Sequence, residues 1–522
     1  MDLRIRRDLQ ASYDDLGHSL LLKSTVKSLE NKDVSVWCSD LAKVVQFFGT
    51  TASFQALLKS TIEMCGHQLH LVFQHDEITP GNPLRPVADN PRKGTVVLAS
   101  FLEFGQALRR EEAWLPMAVV RSQDTAVVNG KLSAVLRSIL LRLVRTGVFD
   151  NGFVVDLGAQ RMHVYVSIRA LSADESALKQ TWDVIGAGGH RCCTLRCLNA
   201  VTEKSKIADT DPFFVSIADD DFSKFIAMDD ASFYETCDSL EELASTVSAT
   251  NLGKLQTAAG MNHVPNGLAS DKTLRQYIQP SMSHYDGMHN LLSNGVGNSE
   301  LSFFVSACIL EMPDRDVIGE LREMLAANWN YPHAKKNAKV CTASARLGAF
   351  TDAKIDAGGS YRGNASQLLT VLPVVAFWAI MVAVQDGRAA RETDSFLAMC
   401  RVITEYVKLK RQSPPLDASK FRKAVSDHKP KFKLAYGAEY IRPKHHFTEH
   451  MGDQAEELHF VLDCQSQERK GDVYKHNVAE HMSSNLQRFS FSCLSQMLVV
   501  QLHMLQSLPA NTFSSRLLHA CC

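Results

Sequence analysis

The pattern of apolar and polar positions changes along the chain from helical spacing to strand spacing. Over residues 41–62 apolar side chains recur three and four positions apart, which predicts helices. We therefore assign residues 1–66 to a helical N-terminal region. From residue 67 apolar runs and alternation predict strands at 69–74, 95–104, 114–122, 153–157 and 162–171, with an amphipathic helix at 131–144.

The later part of the chain has mostly helical patterns. Residues 201–360 form a mixed segment with a predicted helix at 229–247 and another broken near Gly295, which suits an insertion between two parts of a core. Residues 361–412 then hold an apolar helix and an amphipathic one. Residues 413–522 form a basic and helical C-terminal region, with helix predicted at 472–506.

Composition limits the classes of protein without choosing one. The 522 residues allow two to four domains, and 45% hydrophobic with 22% charged residues is typical of a soluble globular protein. The net charge of −1 gives no overall signal for nucleic-acid binding. Thirteen scattered cysteines and a charged N-terminus without a secretory pattern indicate a reducing, intracellular location.

One segment needs a test for membrane insertion. Residues 368–384 contain no charged side chain and include Pro373. Seventeen residues are at the lower limit for spanning a bilayer. A single short segment of this kind is more often a buried core helix, so we expect no membrane association.

Two acids follow predicted strands. Asp76 ends the first strand, before a turn at 79–82, and Asp174 follows the strand at 162–171. The predicted order is three strands, a helix and a strand that ends beside an acid. An RNase H-like fold begins in this order, and Asp76 and Asp174 would then lie at neighbouring strand ends. Acids placed so can hold two Mg²⁺ ions for phosphodiester cleavage. The alternative is an ordinary turn acid at Asp76 and a helix cap at Asp174.

A second group of residues has the chemistry of a zinc site. Cys193 and Cys197 could supply half of it, and the other half could be Asp286 with His289 or His446 with His450. The alternative is buried cysteines and ordinary surface histidines.

A basic run follows residue 413, with aromatic residues between its charges. Such a run suits contact with DNA phosphates, although a solvated helix face is the commoner explanation. The candidate DNA contacts are Lys420, Arg422, Lys423, Lys431 and Lys433.

Five stretches, in this order, resemble eukaryotic DDE-type transposases, in particular the transposase-derived proteins of dinoflagellates that are distantly similar to CACTA elements. They are HDEITPGNPL (75–84), SADESALKQTWDVIGAGGHRCCTLRCLNAV (172–201), MNHVPNGLASDKTLRQYIQPSMSHYDGMHNLLSNGVGNSEL (261–301), YRGNASQLLTVLPVV (361–375), and PKHHFTEH with CQSQERK (443–450 and 464–470).

The resemblance implies an α/β protein with an RNase H-like core, begun by residues 67–200, interrupted by a mostly helical insertion and completed by residues 361–412. It implies cleavage and strand transfer at DNA ends, with Asp76 and Asp174 as the first two catalytic acids. It also implies a nuclear location and a homo-oligomer. Asp286 with His289 match an Asp-x-x-His motif, and His446, His450 and the triplet Glu468, Arg469, Lys470 match a C-terminal motif, whose two basic residues we expect to contact DNA.

The chain departs from the family pattern in two places. Its cysteine pair is separated by three residues instead of two. Gln367 stands where the family has the glutamate that best fits the third metal-binding acid, so Glu77 or Glu300 would have to replace it. Two hypotheses follow: an active transposase-like enzyme that uses Mg²⁺ and Zn²⁺, or a transposase-derived DNA-binding or assembly protein without catalytic activity.

Overall fold

A computed structural model describes residues 14–78, 93–327, 363–465, 468–470 and 489–513, together with positions 329, 347 and 361. The predicted turn at 79–82 and the predicted helical stretch at 472–488 lie outside these residues. Within them the chain is a mixed α/β protein, as the sequence predicts.

A curled mixed sheet of eight strands organises the described part of the chain, in the order β1-β2-β5-β4-β3-β7-β10, with β6 paired to β7. The pairs among β3, β4 and β5 are antiparallel, whereas β7 runs parallel to β3 and β10 parallel to β7. The strands are β1 Leu21–Lys27, β2 Asp33–Ser39, β3 Gln68–Ile78, β4 Gly94–Phe101, β5 Leu115–Arg121, β6 Phe153–Leu157, β7 Gln160–Ala173 and β10 Ser283–Tyr285, while β8 Ala200–Val201 and β9 Val215–Ser216 pair separately.

The N-terminal region is not wholly helical, so that prediction is wrong for residues 21–39. These residues form the hairpin β1–β2, which joins the sheet through β5. Lys23, Thr25 and Lys27 are exposed and alternate with less exposed neighbours, the period-two pattern of a strand. The helical spacing at 41–62 does predict α1 Leu41–Phe48 and α2 Ala52–Cys65 correctly.

Helices cover the sheet and build a second layer beside it. Those that follow β5 and β7 are α3 Ser122–Val127, α4 Lys131–Val144, α5 Val148–Asn151 and α6 Glu175–Trp182. The later ones are α7 Asp230–Thr246, α8 Ala249–Ala259, α9 Val296–Glu311, α10 Val317–Ala326, α11 Ala365–Trp378, α12 Ala390–Arg411, α13 Ser419–Tyr436, α14 Pro443–Leu458 and α15 Phe489–Gln506. A single helix runs from α11 to Asp386.

The predicted insertion at 201–360 contains a strand of the main sheet. β10 pairs with the end of β7, which corrects the assignment of residues 283–285 to an insertion. The strand escapes sequence analysis because three residues are too few to show alternation. Its position matters, because the chain passes from β10 directly to Asp286 and His289.

The helices around α11 have a hydrophobic core of their own. Phe304 of α9 packs against Phe396 of α12, with ring centroids 4.3 Å apart, and against Trp378 of α11. These residues belong to a cluster separate from the one that surrounds the sheet. Residues 363–412 are therefore mainly helical and pack in this second cluster, and their assignment as the remainder of an RNase H-like core stays a prediction.

The helix Ala365–Asp386 has the length and the mean hydropathy, 2.2, of a membrane span, but half of its most apolar window is buried inside the protein. Burial on this scale agrees with the predicted core helix and is consistent with a soluble protein.

Candidate metal centre and carboxylate cluster

Asp76 lies near the carboxyl end of β3, two residues before Ile78, and Asp174 directly follows β7, the parallel neighbour of β3. Gln74 of β3 pairs with Ser172 of β7, so both acids come two residues after the same pair. Neighbouring strands are about 4.8 Å apart. The structure therefore brings these two acids together at one edge of the sheet, as the sequence predicts.

Asp286 extends this row of acids to a third strand. Tyr285 of β10 pairs with Ala173 of β7, so Asp286 and Asp174 each follow the pair by one residue. Carboxylates thus stand side by side at the carboxyl ends of β3, β7 and β10.

The pKa of Asp76 reflects the neighbouring acids. Burial, with smaller contributions from the carboxylates of Asp174 and Asp286, outweighs the opposing effect of His289 and raises the pKa of Asp76 to about 6. A carboxyl group shifted in this direction, among other acids, gains from a bound cation.

Asp174 also caps a helix. Its Oδ1 accepts a hydrogen bond from the Ala177 N–H at 2.6 Å, at the start of α6. Capping engages Oδ1, so Oδ2 is the oxygen with which Asp174 can contact a cation. The two predicted roles of Asp174 are thus compatible.

Asp286 holds His289 in place. Its Oδ2 accepts hydrogen bonds from the backbone and ring of His289, at 2.9 and 2.5 Å, and its Oδ1 accepts from the N–H groups of Met288 and Cys464. Asp286, His289 and Cys464 are close enough to share a metal ion. However, Asp286 already accepts about as many hydrogen bonds as a carboxylate can, so its geometry fits orientation of His289 better than the predicted metal ligation.

His289 connects the row of acids to Glu468. Because Asp286 can only accept, His289 carries a proton on Nδ1, and its Nε2 lies 3.5 Å from Oε1 of Glu468. Burial lowers the pKa of His289, but Asp286, Glu468 and Asp174 outweigh it and raise that pKa to about 9. Sequence analysis noted Glu468 as part of a motif and missed it as an acid of this cluster.

Gln367 has a local structural role. It lies at the start of α11 and forms a capping box with Asn364: the Gln367 N–H donates to Oδ1 of Asn364 at 2.9 Å, and Oε1 of Gln367 accepts from the Asn364 N–H at 3.1 Å. A glutamine serves this box as well as a glutamate does.

The two acids considered as replacements for a third catalytic acid are engaged elsewhere. Glu300 is buried, accepts a hydrogen bond from Ser395 at 2.6 Å and lies 3.2 Å from Nε2 of His428. Glu77 pairs with Lys93 at 2.7 Å.

Cys193, Cys197, His446 and His450 form a buried cluster that could hold a metal ion. Nε2 of His450 lies 3.4 Å from Sγ of Cys193, 3.5 Å from Sγ of Cys197 and 3.2 Å from Nε2 of His446. Tetrahedral zinc bonds of about 2.0–2.3 Å separate ligand atoms by roughly 3.3–3.8 Å. Of the two alternatives for the missing half, the structure selects the histidine pair.

The charges in this cluster suit a metal centre. Burial opposes ionisation of Cys193, but Cys197, His450 and His446 outweigh it and hold the pKa of its thiol well below the usual value. Nδ1 of His446 donates to Glu449 at 3.0 Å, and Glu449 accepts from buried Lys429 at 2.8 Å. Glu449 therefore turns Nε2 of His446 towards the cysteines.

Most of the predicted DNA contacts on α13 have acidic partners. Lys420 is exposed at the start of the helix. The ion pairs of the others are Arg422 with Asp453 and Glu456, Lys423 with Asp427, Lys431 with Asp394, and Lys433 with Asp220. Such pairs reduce the positive potential that DNA would meet.

The two basic residues of the C-terminal motif differ in accessibility. Lys470 is fully buried and donates hydrogen bonds to the carbonyl groups of Glu111 and Trp114 and to the side chain of Gln501. A lysine in this position cannot reach DNA, so the contact predicted for Lys470 is wrong. Arg469 lies in a polar cavity and donates to the carbonyl of Arg109.

The chain matches no protein-family model, and a search of curated proteins finds no match either. The resemblance to transposases therefore rests on the sequence motifs alone.

Proposed function

We propose that this chain is a transposase-like protein that cleaves and joins DNA phosphodiester bonds with the help of divalent cations. One observation carries the proposal: Asp76 and Asp174 stand level on adjacent parallel strands, and Glu468 reaches the same cluster beside His289. Glu468 then supplies the third acid, in place of position 367.

The strand order supports an RNase H-like core. Strands β5, β4 and β3 are antiparallel, and the parallel strands β7 and β10 follow on the other side of β3. The RNase H-like fold has this arrangement, with catalytic acids at the ends of the strands that correspond to β3 and β7. The nuclear location and the homo-oligomer follow from the resemblance alone.

The residues of the cluster fit Mg²⁺, which prefers carboxylate oxygen ligands. Asp76, Asp174 and Glu468 would hold the cations, whose chemistry is to activate a nucleophilic oxygen and stabilise the leaving oxygen. His289 carries a proton on Nδ1 towards Asp286, which directs Nε2 at the cluster. A protonated Nε2 can donate to a phosphate oxygen.

The buried Cys/His cluster fits a structural zinc ion. Two thiolates and two imidazoles are ligands that zinc prefers, and four protein ligands leave no open position for substrate. His446 and His450 lie on α14, whereas Cys193 and Cys197 follow α6, so the centre ties α14 to the catalytic edge of the sheet.

The test is cleavage of labelled DNA by the purified protein in Mg²⁺ or Mn²⁺. Asp174→Asn keeps the helix cap, because asparagine caps as well as aspartate, and should lower cleavage at least about a hundredfold. Glu468→Gln should do the same. Glu77→Gln, a neighbouring surface acid, serves as the matched control and should leave cleavage unchanged.

Gln367→Glu separates the two assignments of the third acid. If Glu468 is that acid, Gln367→Glu leaves the rate unchanged. A gain of activity on Gln367→Glu would return the role to position 367, and cleavage that survives Asp174→Asn would exclude the proposed site. Salt-dependent DNA binding without cleavage would favour the assembly protein.

A further inference from the structure

A polar cavity of about 130 Å³ lies behind the carboxylate cluster. Three cationic side chains line it, Arg109, Lys410 and Arg469, together with Asp463. Lys410 pairs with Asp463, so the two arginines supply the net positive charge. No residue of the proposed catalytic set contributes to the wall.

Arg109 has capacity to bind a ligand. Its Nε is buried without a hydrogen-bond partner among the described residues, and its guanidinium lies 5.7 Å from the ring centroid of Phe460. Burial lowers the pKa of Arg109, and Asp463 partly opposes this. Leaving a buried donor unpaired costs free energy, which an acceptor in the cavity would recover.

Arg469 points into the same cavity from a short segment that also serves the carboxylate cluster. Its guanidinium donates to the backbone carbonyl of Arg109 at 2.8 Å, which holds the Arg469 side chain against the backbone of Arg109. One residue earlier, Glu468 faces His289.

Two neighbouring residues earlier in the chain, Asp463 and Cys464, are likewise divided between the cavity and the carboxylate cluster. Asp463 faces the cavity, and the N–H of Cys464 donates to Asp286 at 2.8 Å. The cavity and the carboxylate cluster therefore lie on two sides of the described segments 463–465 and 468–469.

We propose that this cavity binds a phosphate group through Arg109 and Arg469. Guanidinium groups bind phosphate oxygens in paired, charge-assisted hydrogen bonds. The phosphate would come from the DNA backbone beside the scissile bond, a reading that rests on the proposed function, or it would be free phosphate.

The first measurement is titration of the full-length protein with inorganic phosphate, without added divalent cations, by calorimetry. Arg469→Gln and Arg109→Gln should each weaken binding about tenfold or more. Arg161→Gln, which removes an exposed arginine paired with Asp156, is the matched control and should leave binding unchanged. Arg109→Lys keeps the charge but loses the paired guanidinium hydrogen bonds, so its phosphate affinity should lie between those of the wild type and Arg109→Gln. Thermal unfolding of each variant shows whether a loss of binding reflects unfolding.

The second measurement follows the affinity for a labelled DNA duplex over a range of salt concentrations. If the phosphate belongs to DNA, Arg469→Gln lowers the slope of log Kd against log salt by about 0.9. An unchanged slope together with lost phosphate binding assigns the cavity to free phosphate. Equal phosphate binding by the wild type, Arg109→Gln and Arg469→Gln overturns the proposal. The titration measures phosphate binding and needs no cleavage. Its result therefore remains valid even if Asp174→Asn excludes the catalytic site.

Discussion

At the scale of single residues, the arrangement around His289 shows how the fold sets a charge. The imidazole lies between fully buried Asp286 and half-exposed Glu468, with 18% of its own side chain exposed. Two acidic neighbours outweigh the cost of burying a cation, so His289 is held protonated where phosphate oxygens would approach.

This arrangement makes stability depend on pH in a defined window. The pKa of His289 is about 9 in the folded protein, above the value of about 6.5 expected when unfolded. Its stabilising contribution is therefore complete below about pH 6.5 and disappears as the pH rises through 9, a loss of up to about 3 kcal/mol. Melting temperatures from pH 6.5 to 9.5, without added divalent cations, should fall for the wild type.

His289→Gln is the informative variant, because it removes one titrating group and should make the fall in this window shallower. The remainder belongs to His446, whose pKa burial lowers but Cys193 and Glu449 raise to about 9. Asp76 does not interfere, since its pKa of about 6 places its own effect at lower pH. A wild-type profile identical to that of His289→Gln would contradict the assigned pairing.

At the scale of secondary-structure elements, α14 connects the Cys/His cluster to the strand that precedes Asp286. The ring of Phe447 stacks on Tyr285 of β10 with centroids 4.1 Å apart, and Gln454 accepts a hydrogen bond from the Tyr285 N–H. One turn of the same helix provides His446 and His450. The orientation of β10, and hence of Asp286, therefore depends on how firmly the Cys/His cluster holds α14.

Glu449→Gln tests that dependence. The variant keeps the shape of the side chain but loses the charge that orients His446, so metal affinity should fall about ten- to a hundredfold. Competition with a chromophoric chelator measures the loss. Asp453→Asn, an exposed acid on the same helix, is the control and should bind metal like the wild type. Equal affinity for both variants would show that Glu449 does not support the centre.

Long elements could be predicted from the sequence, and contacts between distant segments could not. The strands β3 to β7 and the acids Asp76 and Asp174 follow from local patterns, because each acid comes a few residues after an apolar run that predicts a strand. Glu468 was missed because nothing near it in sequence indicates that it meets His289. For Cys193 and Cys197 the sequence likewise allowed two candidate pairs of further zinc ligands. Only the fold, which places α14 beside the cysteines, distinguishes between the pairs.

At the scale of the whole molecule, the residues of the candidate site are held by two separate hydrophobic cores. The sheet and its covering helices carry Asp76, Asp174 and the cysteines, whereas the helical core contains Met288, beside His289, and Cys464, in the segment that leads to Glu468. The candidate site thus lies where the two cores meet. A rigid helical core is needed to hold Glu468 and His289 against the sheet, and α11 is its most apolar element.

The helix Ala365–Asp386 therefore provides a test of the molecule as a whole. Ile380 and Met381 are 50% and 54% exposed, so Ile380→Lys and Met381→Lys should change stability by only about 0.5 kcal/mol. Trp378 is fully buried, and Trp378→Ala should cost about 3–5 kcal/mol. Thermal unfolding and fractionation of expressing cells measure both effects. In a membrane span a central lysine costs about 2.5–3.5 kcal/mol of insertion free energy. Each lysine variant would then release the protein from membranes. A wild-type protein found in membranes, together with such a release, would contradict the helical core.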